Sequence, residues 1–315
     1  MGSTPSVKPR ALVRGDRVGV IAPASGIRPD MLAAGLAELE SMGLRPETRP
    51  DITAVDRYTA GSVERRLTEL RQMLHDDGIR AIFAARGGYG SGHLLDHLEP
   101  DEFRRYPKIL CGSSDVTLLL GAAVGAGVTA FHGPMVATAI RQGADGYDRD
   151  LFRHLLFDGE AVAFDTSGCT IIRAGQATGP IVGGCLTLVT AAIGTSWEPD
   201  TRDAILLLED NNTRPYQIDR MLTQLRQAGK LSGVRGIVFG EMPGCIQHEN
   251  QGYTLTEVID RVLGDFDGPV LSGFPTGHTT KPGAIVPLGV QSELSLADEV
   301  TFRLLEPAVV PGTYP

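Results

Sequence analysis

The stretch Cys111-Gly112-Ser113-Ser114-Asp115-Val116-Thr117 sets a serine on a glycine-flanked turn. It follows the apolar pair Ile109-Leu110 and leads into the helix-like segment Leu118 to Val124. A strand-to-helix turn projects a hydroxyl clear of a sheet and leaves backbone N–H groups free at a helix start, which suits a nucleophile. A serine hydroxyl is weakly nucleophilic until a base takes its proton. Histidine titrates near neutrality and fits that task. A carboxylate then fixes the imidazole tautomer and stabilises the imidazolium. Two distant segments offer these groups: Leu206-Leu207-Leu208-Glu209-Asp210, an apolar run ending in carboxylates, and Gly277-His278, in a loop rich in Gly, Thr and Pro. The order Ser, acid, His is one in which such triads occur, although the local motif is not G-x-S-x-G.

Each residue also has a plainer reading. Ser114 or Asp115 could cap the following helix. Glu209 and Asp210 compete for one role, and either could be a surface carboxylate. His278 has six rivals in His75, His93, His97, His132, His154 and His248. His75, His93, His97 and His154 lie on helix-like stretches with charged neighbours and read as solvated. His132, in Phe131-His132-Gly133-Pro134-Met135, follows an apolar run and is next in line after His278. The glycine-rich loop Arg86-Gly87-Gly88-Tyr89-Gly90-Ser91-Gly92 admits three readings. It could bind phosphate, form an oxyanion hole, or serve as a tight turn needing positive φ. It is not a P-loop, because no Gly-Lys-Ser/Thr follows.

The elements that position these residues alternate. Strands are expected at Arg17 to Ala22, Ile79 to Ala84 and Lys108 to Cys111, and helices at Pro29 to Met42, Val63 to Leu74 and Ser91 to Leu98. The alternation predicts a parallel sheet with helices on both faces. Regularity fails between Phe157 and Gly179, which suggests a boundary dividing the chain into 1–160 and 161–315. Beyond Gly183-Gly184, a helix is expected from Cys185 to Ile193, a strand at Ala204 to Leu208, a helix at Tyr216 to Ala228 and a strand at Val234 to Gly240. Short strands at Ala284 to Pro287, Val290 to Leu296 and Glu299 to Leu304 suggest a small antiparallel or barrel-like element.

At 315 residues, 42% hydrophobic and 21% charged, the chain has the composition of an ordinary globular protein. A net charge of -9 argues against nucleic acid or an anionic membrane as partner. No apolar run reaches the roughly 18 residues of a spanning helix. The start, Met1 to Arg10, lacks a secretory apolar core, so a cytoplasmic protein is expected. Cys111, Cys169, Cys185 and Cys245 are scattered without a C-x-x-C, so neither metal site nor disulfide framework is indicated.

Taken together, the segments resemble the serine LD-carboxypeptidases, which include muramoyltetrapeptide carboxypeptidases and microcin C immunity peptidases. The likeness runs from Val18-Gly19-Val20-Ile21-Ala22-Pro23-Ala24-Ser25 through the Arg86 loop, the Ser114 turn and Phe131 to Met135. It continues at Gly183-Gly184, Leu208-Glu209-Asp210, Ile218 to Leu222 and Phe274-Pro275-Thr276-Gly277-His278. The resemblance implies Ser114 as nucleophile, Glu209 as acid and His278 as base, with backbone N–H groups of Gly88 and Asp115 as oxyanion donors. It further implies a flavodoxin-like first layer, a second α/β domain with a barrel-like part, a homodimer, and neither metal nor cofactor. The substrate it implies is a small peptide, a murein tetrapeptide losing its terminal D-Ala.

This chain departs from the family pattern where Gly183-Gly184-Cys185 stands for the usual Gly-Gly-Asn, and where Asn211-Asn212-Thr213-Arg214 follows the acid. Arg214 is a candidate carboxylate clamp or an exposed charge at a helix start. Cys185 is a candidate substrate contact. A self-immunity amidase acting on peptide–nucleotide or aminoacyl-sulfamoyl-adenylate antibiotics is an alternative, as is a repurposed non-catalytic binder. Aromatics are only 6%, with Trp197 the sole tryptophan, which weakens the antibiotic reading.

Overall fold

The computed structural model describes residues 6–247, 252–297 and 299–311. Its strands are β1 (Arg17–Ile21), β2 (Arg45–Glu47), β3 (Ile79–Ala84), β4 (Ile109–Gly112), β5 (Ala130–His132), β6 (Thr170–Arg173) and β7 (Gly175–Cys185). They continue with β8 (Ile205–Glu209), β9 (Gly236–Gly240), β10 (Val270–Phe274), β11 (Val286–Leu288), β12 (Gln291–Leu296) and β13 (Val300–Leu304). They form two sheets, ordered β11-β5-β4-β3-β1-β2 and β13-β12-β7-β8-β9-β10-β6.

In the first sheet β2, β1, β3, β4 and β5 run parallel, the flavodoxin-like order expected. Their sequences are nearly continuous apolar runs because both faces are covered. β11 comes from late in the chain and pairs antiparallel with β5. In the second sheet β7 to β10 are parallel, while β6, β12 and β13 add antiparallel edges. One of the two sheets curls into a half-barrel.

The stretch read as irregular is where expectation and structure differ. β6 and the start of β7 lie there, and Gly183-Gly184 belongs to β7, so the helix starts at Leu186. The β7 sequence GQATGPIVGGC carries few large apolar residues and hides the strand. At Gly183 a Cβ would stand 2.1 Å from the Leu207 carbonyl of β8, so close strand packing excludes a side chain. The helix expected over Ser91 to Leu98 shortens to Gly92–Leu95.

Side chains on β8 alternate between two cores. Ile205 and Leu207 join the core shared with the first sheet, whereas Leu206 and Leu208 face the helices Leu186–Ala191 and Pro215–Gln227. The two-residue period therefore carries Glu209 toward the first sheet.

The helix Val63–His75 ties together the loops that follow β1 and β3. Ser62 caps it, its hydroxyl accepting from the Arg65 N–H at 3.1 Å. Arg66, fully buried, donates to the carbonyls of Pro23 at 2.7 Å and Gly90 at 2.6 Å. Glu69 accepts from the Ala22 N–H at 2.7 Å and pairs with Arg65 at 2.7 Å. Burial outweighs those partners and pushes the Glu69 carboxyl up to about 7. Arg66→Ala leaves two buried carbonyls unpaired and is expected to cost about 3 kcal/mol. Urea denaturation measures this, and a change under about 0.5 kcal/mol, the range of ordinary surface substitutions, would contradict it.

Candidate active site

Ser114 adopts φ 58°, in the left-handed region. A non-glycine residue pays about 1 kcal/mol or more there, so its surroundings must hold it. The neighbouring side chain does this. Asp115 is buried, and its Oδ2 accepts from the Ser91 N–H at 2.7 Å while its carbonyl accepts from the Ser91 hydroxyl at 2.5 Å. The carboxylate thus fastens the serine turn to the glycine-rich loop rather than capping a helix.

The loop approaches closely enough to need its glycines. A Cβ on Gly87 would stand 2.8 Å from Ser114 Cβ, 3.0 Å from its Oγ and 3.2 Å from the Asp115 nitrogen. Gly88 has φ 104°, and a Cβ there would strike Ser25 Oγ at 2.4 Å. Ser25 donates its N–H to the Gly87 carbonyl at 3.2 Å, and its Oγ accepts from the Tyr89 N–H at 3.1 Å. The loop backbone is therefore locked beside Ser114.

Glu209 ends β8 with no solvent exposure. Its Oε2 accepts from His278 twice, from Nδ1 at 2.7 Å and from the backbone N–H at 2.9 Å. Gly277, at φ 65°, makes this possible, because a Cβ there would stand 2.4 Å from the Glu209 carboxyl carbon. Glu241 holds the far side of the same loop, accepting from the hydroxyls of Thr279 and Thr280 and from the Thr280 N–H. Burial opposes ionisation of Glu209, but the His278 hydrogen bond and the neighbouring imidazoles outweigh it and hold its carboxyl below the ordinary range. Burial likewise disfavours the His278 cation, yet Glu209, by hydrogen bond and charge, and Asp210 raise it above the ordinary 6.5.

The adjacent carboxylate is committed elsewhere. Asp210 accepts from the Thr187 N–H at 3.0 Å, the Thr187 hydroxyl at 2.7 Å and the Thr213 hydroxyl at 2.9 Å, fastening a helix start and a loop. Cys185 is buried, its thiol driven upward chiefly by that burial, with Sγ 3.9 Å from Asp210 Oδ2. Arg214 stands at the start of the helix Pro215–Gln227, its guanidinium donating to the Ile246 carbonyl at 3.2 Å.

His132 links the two halves. It pairs in register with Gly112 on the strand that leads to Ser114, and its Nε2 lies 3.8 Å from Glu209 Oε1. Burial lowers its pKa. Gly184 packs against both Thr117 and His132, and the Cys185 N–H donates to Thr117 Oγ1 at 3.0 Å. The serine turn and the Glu209–His278 pair thus meet at one junction. Of the other histidines, His75 bonds Glu102 at 3.1 Å and His93 lies 3.3 Å from Arg66, so neither is simply solvated. His248 lies outside the described residues. Sequence reasoning missed Ser25, Ser91, Thr117 and Glu241, the groups that hold the site rather than form it.

Residues 18–133 match the LD-carboxypeptidase N-terminal domain, and residues 178–294 match the LD-carboxypeptidase C-terminal domain. This chain belongs to the LD-carboxypeptidase family. A probable murein peptide carboxypeptidase of Bacillus subtilis is 36% identical, covering 93% of this chain and 92% of its own length. The murein tetrapeptide carboxypeptidase of Pseudomonas aeruginosa is 30% identical over 83% of this chain and 88% of its own. In fold, this LD-carboxypeptidase is similar to the microcin C7 self immunity protein MccF solved with aspartyl sulfamoyl adenosine. The TM-score is 0.86 at 22% identity, covering 96% of this chain and all of that one (100%). Among the described residues, no helix is long and apolar enough to cross a membrane.

The pair makes stability depend on pH in a defined window. His278, raised above 6.5, contributes stability that is complete below that value and lost as pH climbs through its folded pKa. Glu209, lowered below 4.5, contributes stability that is complete above that value and lost as pH falls through its folded pKa. The denaturation free-energy difference between wild type and Glu209→Gln is therefore expected to peak between pH 4.5 and 6.5. A difference independent of pH would contradict the pairing.

Proposed function

We propose that this LD-carboxypeptidase removes the terminal D-Ala from murein tetrapeptides through an acyl-enzyme on Ser114. His278 is the base and Glu209 the carboxylate that holds it. The observation that carries the reading is the double grip of Glu209 Oε2 on the His278 ring and backbone. With Nδ1–H donated to Glu209, the lone pair of the neutral ring sits on Nε2. Nε2 takes the Ser114 proton as Oγ attacks the scissile carbonyl. The oxyanion faces two backbone N–H groups, that of Gly88 on the locked loop and that of Asp115 on the serine turn. Collapse breaks the C–N bond, and the proton on Nε2 passes to the departing D-Ala amine. Water then gives a proton to Nε2, attacks the ester, and restores Ser114.

The murein substrate is supported by the names of the Bacillus subtilis and Pseudomonas aeruginosa relatives, both alike over most of the chain. The four cysteines are unpaired, in keeping with a reducing compartment, and we extend the proposal to a cytoplasmic enzyme.

One observation favours a second reading. Tyr58 and Tyr89 are 61% and 54% exposed beside the glycine-rich loop, with ring centroids 5.5 Å apart at 72°. They offer the aromatic surface that a nucleobase would use, which composition alone did not reveal.

Mass spectrometry separates the readings. Purified protein incubated with a murein tetrapeptide ending in D-Ala is expected to release one alanine, and Ser114→Ala to slow this by ~10⁴-fold or more. A variant keeping more than about a tenth of wild-type rate removes Ser114 from the nucleophile's role, since triad deletions cost far more. An intact tetrapeptide alongside a cleaved aminoacyl-sulfamoyl adenosine would establish the second reading.

A further inference from the structure

We infer that Arg86 is the receptor for the substrate's terminal carboxylate. The inference rests on the carboxypeptidase reading above and adds the group that confines the enzyme to a chain end. In any such substrate the free carboxylate lies three bonds beyond the scissile carbonyl carbon, roughly 4 Å. The cation that reads it must therefore border the oxyanion donors.

Arg86 meets that requirement. It immediately precedes Gly87, whose missing side chain leaves room for Ser114 Cβ at 2.8 Å. Its Nη2 lies 3.8 Å from the point where a Gly88 side chain would begin, so the guanidinium runs along the loop that presents the Gly88 N–H. Nη1 donates to the Gly26 carbonyl at 3.3 Å, which steadies the group and leaves Nε and Nη2 for a two-pronged carboxylate contact. Arg86 is exposed, and among the described residues no carboxylate pairs with it.

Other cations near the site are occupied or set apart. Arg66 is buried and spent on the Pro23 and Gly90 carbonyls. Lys281 lies in the fields of Glu241 and Asp165. Arg214 starts a helix beyond Asp210 with its guanidinium on the Ile246 carbonyl.

The test compares kcat/KM for a tetrapeptide ending in D-Ala with that for the same peptide ending in D-alaninamide. Wild type should prefer the free acid. In Arg86→Ala the acid-to-amide ratio should fall roughly 10- to 100-fold, the worth of a charged hydrogen-bonded contact. Arg86→Lys should restore part of the ratio, since a lysine keeps the charge without the fork. An unchanged ratio in Arg86→Ala, or a collapse in Arg214→Ala instead, overturns the assignment alone. Wild-type protein that cleaves neither peptide overturns the carboxypeptidase reading and the Arg86 assignment with it.

Discussion

A carboxylate without water contact needs donors, and nearly every feature of this site supplies or accommodates them. Glu209 has no exposed surface, and one of its oxygens takes two hydrogen bonds from a single residue, His278. Backbone and ring are captured together, so neither the loop nor the imidazole can turn independently. The conditions for that capture are steric. Gly277 passes over the carboxyl carbon where a side chain would collide, and Gly240 on β9 leaves room beside Glu209 Cβ, 2.6 Å from where its own would be. Glu241 fastens the next two residues. A charge that burial alone would neutralise stays ionised because its partner is held in place.

The two sheets bring their functional ends to one place. Ligands gather at the C-terminal ends of parallel strands, and both groups of this site stand there. Ser114 follows β4, and Glu209 closes β8. Beside the site, the halves approach through small groups: Gly184 against Thr117 and His132, and the Cys185 N–H on Thr117. Cys185 joins this junction through its backbone, so that bond does not depend on its side chain. The strained serine turn is held from the other direction by Asp115 and Ser91. Arg66 and Glu69, several residues removed from any chemistry, anchor the loops that Ser25 and Gly87 occupy.

Much of this was legible in the chain because parallel strands buried on both faces leave dense apolar runs. RVGVI, IRAIFA and ILLLE each read as strands before any coordinates. β7 did not, because its packing against β8 selects glycine and its composition then imitates a loop. The return of β11 to the first sheet leaves no local signature, since only pairing with β5 reveals it. At the site, Glu209 and Asp210 were inseparable by type. They part company because the two-residue period sends Glu209 toward His278, while Asp210 caps the turn around Thr187. His132 was legible as a neighbour of a site, and it does face Glu209, but its burial and distance distinguish it from the hydrogen-bonded His278.

The central claim is that the base held by Glu209 activates Ser114. The direct measurement is covalent labelling by a slow serine-directed phosphonate, with the modified peptide located by mass spectrometry. The account predicts a single adduct on Ser114 in the wild type and its loss in folded His278→Ala. Undiminished labelling of Ser114 in His278→Ala would contradict it and move the base to another residue, His132 first.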